Sequence, residues 1–204
     1  MGFSTLIDIL GSTIVGGLLL IILLRLNEAS IENTYVYGGD LLVQQNLVSV
    51  VELMEYDFRK IGYCKIWENI PDPSKAILFA DSNKITFLTD ERTSSHPNGD
   101  GIVDTMTYYL GPASELAGTA NPRDRMLYRV VNGQSLSANL GITQFQLQYF
   151  DALGDSIYFP IAVPSEVYTM QINLKVENVA AYDENYSSAF WKQIRLAARN
   201  LRNR

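Results

Sequence analysis

His96 and Cys64 are the only histidine and the only cysteine in a chain of 204 residues. That count rules out a multi-histidine metal site, a zinc knuckle and a C-x-x-C redox pair. His96 lies in Ser94-Ser95-His96-Pro97-Asn98-Gly99, a run of turn-forming residues, and reads as a solvated loop residue rather than a general base. Cys64 has no partner for an intrachain disulfide and reads as a small buried hydrophobe, which leaves the redox compartment undetermined. No P-loop, G-x-G-x-x-G or G-x-S-x-G sequence is present. Composition alone does not exclude acid-pair hydrolysis, since Asp and Glu total 22. The expectation is nonetheless a protein that is not an enzyme and carries no cofactor.

One loop has the makings of a hard-cation site. Asn98-Gly-Asp100-Gly-Ile-Val-Asp104 offers oxygen ligands with glycines that permit a tight wrap, as calcium requires. His96 stands where another ligand would precede Asn98, and no glutamate closes the loop, so a glycine-rich hairpin turn is the competing reading. A formal charge of −6, with no basic stripe interleaved with aromatics, argues against nucleic acid as a partner. The basic cluster Lys192, Arg195, Arg199, Arg202 and Arg204 reads as a solvated strand end or tail.

The remaining residue whose position demands an explanation is Asp8, the one charge between Met1 and Leu24. Its surroundings are apolar, and the run from Gly2 to Leu24 makes a helix of about 35 Å, enough to span a hydrocarbon core of about 30 Å. A signal peptide fits poorly: the start is uncharged, the apolar core is too long, and Arg25-Leu26-Asn27-Glu28 is no cleavage site. Near the helix start, the dipole and nearby headgroups favour a carboxylate at Asp8. Ser12-x-x-x-Gly16 and the adjoining Gly17 permit close helix approach. Gly16-Gly17 would also allow local unwinding, or be merely tolerated.

The helix has no obvious stop at the membrane. No proline occurs from Asn27 to Ile61, and Leu47, Val50, Val51, Met54, Phe58 and Ile61 form an apolar stripe, with Glu52, Glu55, Asp57, Arg59 and Lys60 filling the rest. Gly38-Gly39 predicts a bend or short break. Unbroken from Ser4 to Ile61, the helix would be about 87 Å long, too long for one domain to bury, so lipid or other copies must cover half of it.

Beyond Gly62 the periodicity switches to two. The clearest strands are Ile142–Phe150, with Phe145, Leu147 and Tyr149 on one face, and Glu166–Asn178, with Tyr168, Met170, Ile172, Leu174 and Val176 facing in and Thr169, Gln171, Asn173, Lys175 and Glu177 facing out. Further strands are predicted at Ala76–Ala80, Lys84–Thr89, Val103–Leu110, Met126–Val131, Ser156–Ile161 and Phe190–Ala198, with hairpin turns at Asn132-Gly133 and Asp81-Ser82-Asn83. The fold class expected is α+β: a long N-terminal helix, apolar in residues 1–27 and amphipathic in 28–62, packed on an antiparallel β-sheet head at 63–204.

In this order the features resemble the type IV pilin superfamily, and within it the J-type minor pseudopilins of type II secretion and the W-type minor pilins. Gly2-Phe3-Ser4-Thr5-Leu6-Ile7-Asp8 is similar to a prepilin cleavage site. In the head, the resemblance rests on Lys84-Ile-Thr-Phe-Leu, Asp100-Gly-Ile-Val-Asp-Thr-Met-Thr-Tyr-Tyr-Leu, Leu127-Tyr-Arg-Val-Val-Asn-Gly and Ile142-Thr-Gln-Phe-Gln-Leu-Gln-Tyr-Phe-Asp. It implies a filament subunit held in the bacterial inner membrane before assembly and in an extracellular or periplasmic filament afterwards, built of copies of itself or other pilin-like subunits. It also implies a prepilin peptidase cutting after Gly2 and methylation of the new amine on Phe3. The chain departs from the family in three ways: the leader would be Met1-Gly2 without a basic residue, Ile7 stands where an acid is usual, and no helix proline follows. Asp8, one position later, is the candidate replacement for the acid. Major and minor subunit both remain open, although the head favours minor. The rival reading is a membrane-tethered single-pass module whose β head binds glycan or protein.

Overall fold

The computed structural model of the chain describes residues 2–179 and 186–196, and of 193–196 the backbone only. One α-helix, α1 (Gly2–Arg59), takes up 58 residues, about 87 Å of rod. It runs unbroken through Gly16-Gly17 and Gly38-Gly39, so neither the local unwinding that the first pair allows nor a break at the second occurs. The reason at Gly39 is packing. This residue is where the helix first meets the head, and a Cβ there would run into the side-chain amide of Asn178. The glycine serves close approach, and the rest of the helix absorbs its propensity cost of about 1 kcal/mol.

Eight antiparallel strands make the head: β1 (Ile77–Ala80), β2 (Lys84–Thr89), β3 (Asp104–Leu110), β4 (Arg125–Val131), β5 (Gln134–Phe150), β6 (Ser156–Ile157), β7 (Thr169–Glu177) and β8 (Ser188–Leu196). They lie in the order β1-β2-β3-β4-β5-β7-β8, with β6 paired to β5. The α+β class is as expected, and β2 matches its predicted bounds. Asn132-Gly133 forms the β4–β5 hairpin, both residues with positive φ (51° and 81°), as the twist of a two-residue turn requires. Three strands differ from their predicted extent by three residues or more, and the others apart from β2 shift by one or two. β5 starts at Gln134 rather than Ile142, because its first half pairs with β4 and its second with β7. β6 has only two residues. Pro164–Glu166 is a 3-10 turn, so β7 starts at Thr169. The predicted end of the last strand at Ala198 and the connection through 180–185 lie outside the described residues, as do Arg199, Arg202 and Arg204.

The second half of α1 lies on the inner face of this sheet. Val50, Met54, Phe58 and Ile61 are buried as the stripe implies, with Leu47 and Val51 at its margin and Val43 extending it toward the neck. Phe58 meets Phe87 and Tyr108 edge-on, with centroids 5.7 and 5.2 Å away, an arrangement that suits the ring quadrupoles.

Asp57 overturns the expectation that it sits on the wet side of the helix. It is 1% exposed and points at the sheet, where Arg129 Nε donates to Oδ2 at 2.7 Å and Nη2 donates to Oδ1 at 3.3 Å. The Tyr108 hydroxyl donates to Oδ2 at 2.5 Å, and Arg129 Nη2 also donates to Glu91 Oε1 at 2.6 Å. Burial, reinforced by the Asp57 charge, pushes the Tyr108 phenol above its ordinary value, so it stays a donor. A helix stripe cannot reveal this arrangement, since Asp57 is satisfied by two residues of distant strands, Tyr108 on β3 and Arg129 on β4, the latter held in turn by Glu91 from the loop after β2.

The outer face of the sheet is also drier than its alternation suggests. Gln171, Asn173 and Glu177 point outward yet are buried. Gln171 donates to Gln148 and Asn173, while Glu177 accepts from Asn121, Arg123 and Lys175. These polar neighbours on β5, β7 and the loop before β4 cover one another. Burial works against the ionised form of Glu177, but the bonds from Lys175, Asn121 and Arg123 outweigh it and hold the carboxyl below its usual range.

Breaking the Asp57–Arg129 pair from either side strands a buried charge, a loss of about 3–5 kcal/mol. Asp57→Ala and Arg129→Ala should each lower head stability by that order in urea denaturation followed by near-UV circular dichroism. The double variant should lose clearly less than the sum of the two. Simple additivity would show that the pair is not coupled.

Candidate membrane and assembly surface

Residues 2–38 of α1 are all exposed. The part from Gly2 to Leu26, about 37 Å long, is apolar on every side apart from Asp8, Arg25 and its small hydroxyl residues. The hydroxyls are satisfied within the helix: Thr5 donates to the Gly2 carbonyl at 3.0 Å, Ser12 to Asp8 at 2.7 Å and Thr13 to Leu10 at 2.8 Å. Back-bonding of this kind lets a hydroxyl sit in apolar surroundings. The helix is therefore long and apolar enough to cross a membrane and is compatible with membrane anchoring.

All six residues singled out for processing or assembly lie on this rod, and none is brought to the head. Gly2 and Phe3 open the helix. Asp8 lines a shallow recess with Ile9, Ser12 and Thr13 and has no ion-pair partner among the described residues. Ser12 and Gly16 lie one turn apart on one face, and a Cβ at Gly16 or Gly17 would meet nothing within 4 Å. Whatever close approach these glycines serve is not made within this chain.

Between the apolar rod and the head, residues 27–38 form about 18 Å of exposed helix in which polar and apolar side chains alternate in about equal number. Here the sequence reading missed a feature. The amphipathic half has exposed apolar residues off its core stripe as well: Ile31, Tyr35 and Leu42 follow one another at spacings of four and seven, and so do Tyr37, Leu41 and Val48. All are 40% or more exposed. These are helical-face spacings. The signal was in the sequence, but the stronger core stripe overshadowed it.

The acidic loop at Asn98–Asp104 is built around a carboxylate of its own. Asp90, fully buried, accepts from the backbone N–H groups of Lys65 (3.0 Å), Asp100 (3.0 Å) and Gly101 (2.9 Å). A Cβ at Gly99 would collide with that carboxylate, so the loop can wrap it only with glycine there. Asp100 turns to the Ile102 N–H, and Asp104 to Glu91 N–H and the Asn132 amide. The acids face three different ways. Among the described residues, no group of three or more His, Cys, Asp or Glu side chains is placed to hold a metal ion. Cys64 is buried beneath the loop, with Sγ 3.4 Å from the Gly101 carbonyl; burial pushes its thiol up, and Asp90 adds to this. His96 is exposed, its Nδ1 3.2 Å from Ser95 Oγ.

No protein-family model matches the chain, and no curated protein matches it.

Because Asp90 closes the loop, its replacement leaves three N–H groups without their acceptor, that of Gly101 buried and those of Lys65 and Asp100 partly so, a buried unsatisfied donor costing about 1–3 kcal/mol. Asp90→Ala should destabilise the head by at least about 2 kcal/mol. A chelator should leave the melting temperature of the unaltered protein unchanged. A chelator-sensitive melt reversed by calcium would instead make this loop a cation site.

Proposed function

We propose that the chain is a structural subunit of a type IV pilus-like or type II secretion-like filament, assembled through α1. The observation that carries this reading is the set of exposed apolar residues Ile31, Tyr37, Leu41, Leu42 and Val48, which lie beyond the apolar first half of the helix and off its core stripe. Lipid accounts for Gly2–Leu26, but the hydrocarbon core is spent before Ile31 is reached. A solitary tether needs no apolar side chains there; a bundle of neighbouring helices does. An exposed stretch such as 27–38 draws little stability from tertiary packing, and neighbours that pack on it would supply what it lacks. Assembly also replaces lipid around the first half with other apolar helices, avoiding exposure to water that would cost on the order of tens of kcal/mol.

Within this reading Gly2-Phe3 is the processing point, and the carboxylate of Asp8 pairs with the amine of Phe3, its own or a neighbour's. A lone carboxylate in an apolar core must be paired or neutralised, and pairing would reward one axial register. The subunit would wait in a bacterial inner membrane and leave it on assembly.

Electron microscopy of material sheared from cells should find the protein in fibres with a regular axial repeat, and mass spectrometry should find Phe3 as their first residue, N-methylated. Asp8→Asn should lower fibre yield while leaving membrane insertion and head folding intact. A protein found only in membrane fractions as a monomer would overturn the filament and favour a tethered binding module. Fibres that keep Met1 or Gly2 would overturn the processing step alone.

A further inference from the structure

The middle of α1 carries one exposed pattern twice. Ile31, Tyr35 and Leu42 form a first row; Tyr37, Leu41 and Val48, each six residues further along, form a second. All six side chains are more than half exposed. A step of six residues turns the second row about a third of a turn away from the first, and each row lies about a third of a turn from the buried stripe of Val43, Val50, Met54 and Phe58. Polar residues divide them. Thr34, Gln45 and Glu52 run between the two rows, and Asn33 and Gln44 between the second row and the buried stripe. The helix is therefore three-sided here, with the head on one side.

A pattern that repeats itself at a constant step is matched to a second copy of the same chain. When the first row of one rod lies on the second row of a parallel rod, Ile31 meets Tyr37, Tyr35 meets Leu41 and Leu42 meets Val48. This requires the second rod to be shifted along its axis by six residues, about 9 Å. Parallel rods are also what the apolar lengths Gly2–Leu26 need if they are to share one membrane or one core. Contact between identical rows would spend each copy on a single neighbour. Contact between unlike rows leaves one row of every copy free for the next, so the chain of copies grows. Because the rows flank the line opposite the head, every head then points away from the shared centre. The same shift brings Asp8 of one copy level with Gly2 of its neighbour, at the positive end of that helix.

We propose that copies of this chain join through these two rows, the first on the second, with an axial shift of six residues. The proposal rests on the filament reading and adds to it the faces and the register of the contact.

Disulfide trapping in fibres sheared from cells tests it, since facing Cα atoms of packed helices come within disulfide reach. Leu42→Cys with Val48→Cys, and Ile31→Cys with Tyr37→Cys, should each give ladders of dimer, trimer and longer species on mild oxidation. The single variants and the mismatched pair Ile31→Cys with Val48→Cys should stay monomeric, as should the unaltered chain, whose Cys64 is buried. Fibres that give no ladder with either matched pair, or ladders as strong with the single variants, overturn this register and leave the filament standing. Image reconstruction of fibres of the unaltered protein is a second measurement that no substitution disturbs. Contacting helices should be shifted by about 9 Å, and a shift outside about 6–12 Å overturns the register. Absence of fibres from the unaltered protein overturns the filament itself, and the register with it.

Discussion

A helix about 87 Å long cannot be buried by a head of some 140 residues, and everything else in this molecule answers to that mismatch. The head can cover only the last third of the rod, from Gly39 to Arg59. The other two thirds must find their surroundings outside the chain. Apolar residues cover all sides of Gly2–Leu26, long and apolar enough to cross a membrane, and further exposed apolar side chains follow on α1 between Ile31 and Val48.

Holding such a lever requires a firm grip at its base. Apolar packing of Val50, Met54 and Phe58 gives adhesion, but hydrophobic contact is non-directional and would tolerate rotation of the helix on the sheet. Asp57 adds direction. Its carboxylate is met by Arg129 from β4 and Tyr108 from β3, so only one rotation and one axial position of α1 satisfy all partners. The close contact of Gly39 with Asn178 fixes the point at which the rod departs. Angle and register of the exposed helix are thus set by polar contacts embedded in an apolar seam.

The head treats its charges in a common way: each buried carboxylate is given several donors. Asp90 is cradled by backbone N–H groups, Glu177 by Asn121, Arg123 and Lys175, and Asp57 by Arg129 and Tyr108. A carboxylate so provided stabilises the loop or strand that supplies the donors, because removing it leaves them unsatisfied.

Periodicity alone determined the class of this fold: a three-and-four stripe from Leu47 to Ile61, and strict alternation at Phe145-Leu147-Tyr149 and Met170-Ile172-Leu174, are properties of neighbouring residues and need no distant information. Composition determined the apolar rod for the same reason. Tertiary structure decided the rest. Whether Gly39 breaks a helix or admits Asn178 depends on what lies opposite. Whether Asp57 faces water depends on Arg129, 72 positions away. The turn-like loop at Asn98–Asp104 wraps Asp90 because its N–H groups, invisible in a string of side chains, point at that carboxylate. A bulge at Thr143 exists only as a mismatch of register between two strands, β5 and β7. Local pattern reports which surface must be buried; the partner that satisfies a polar group is chosen across the fold, where sequence distance carries no information.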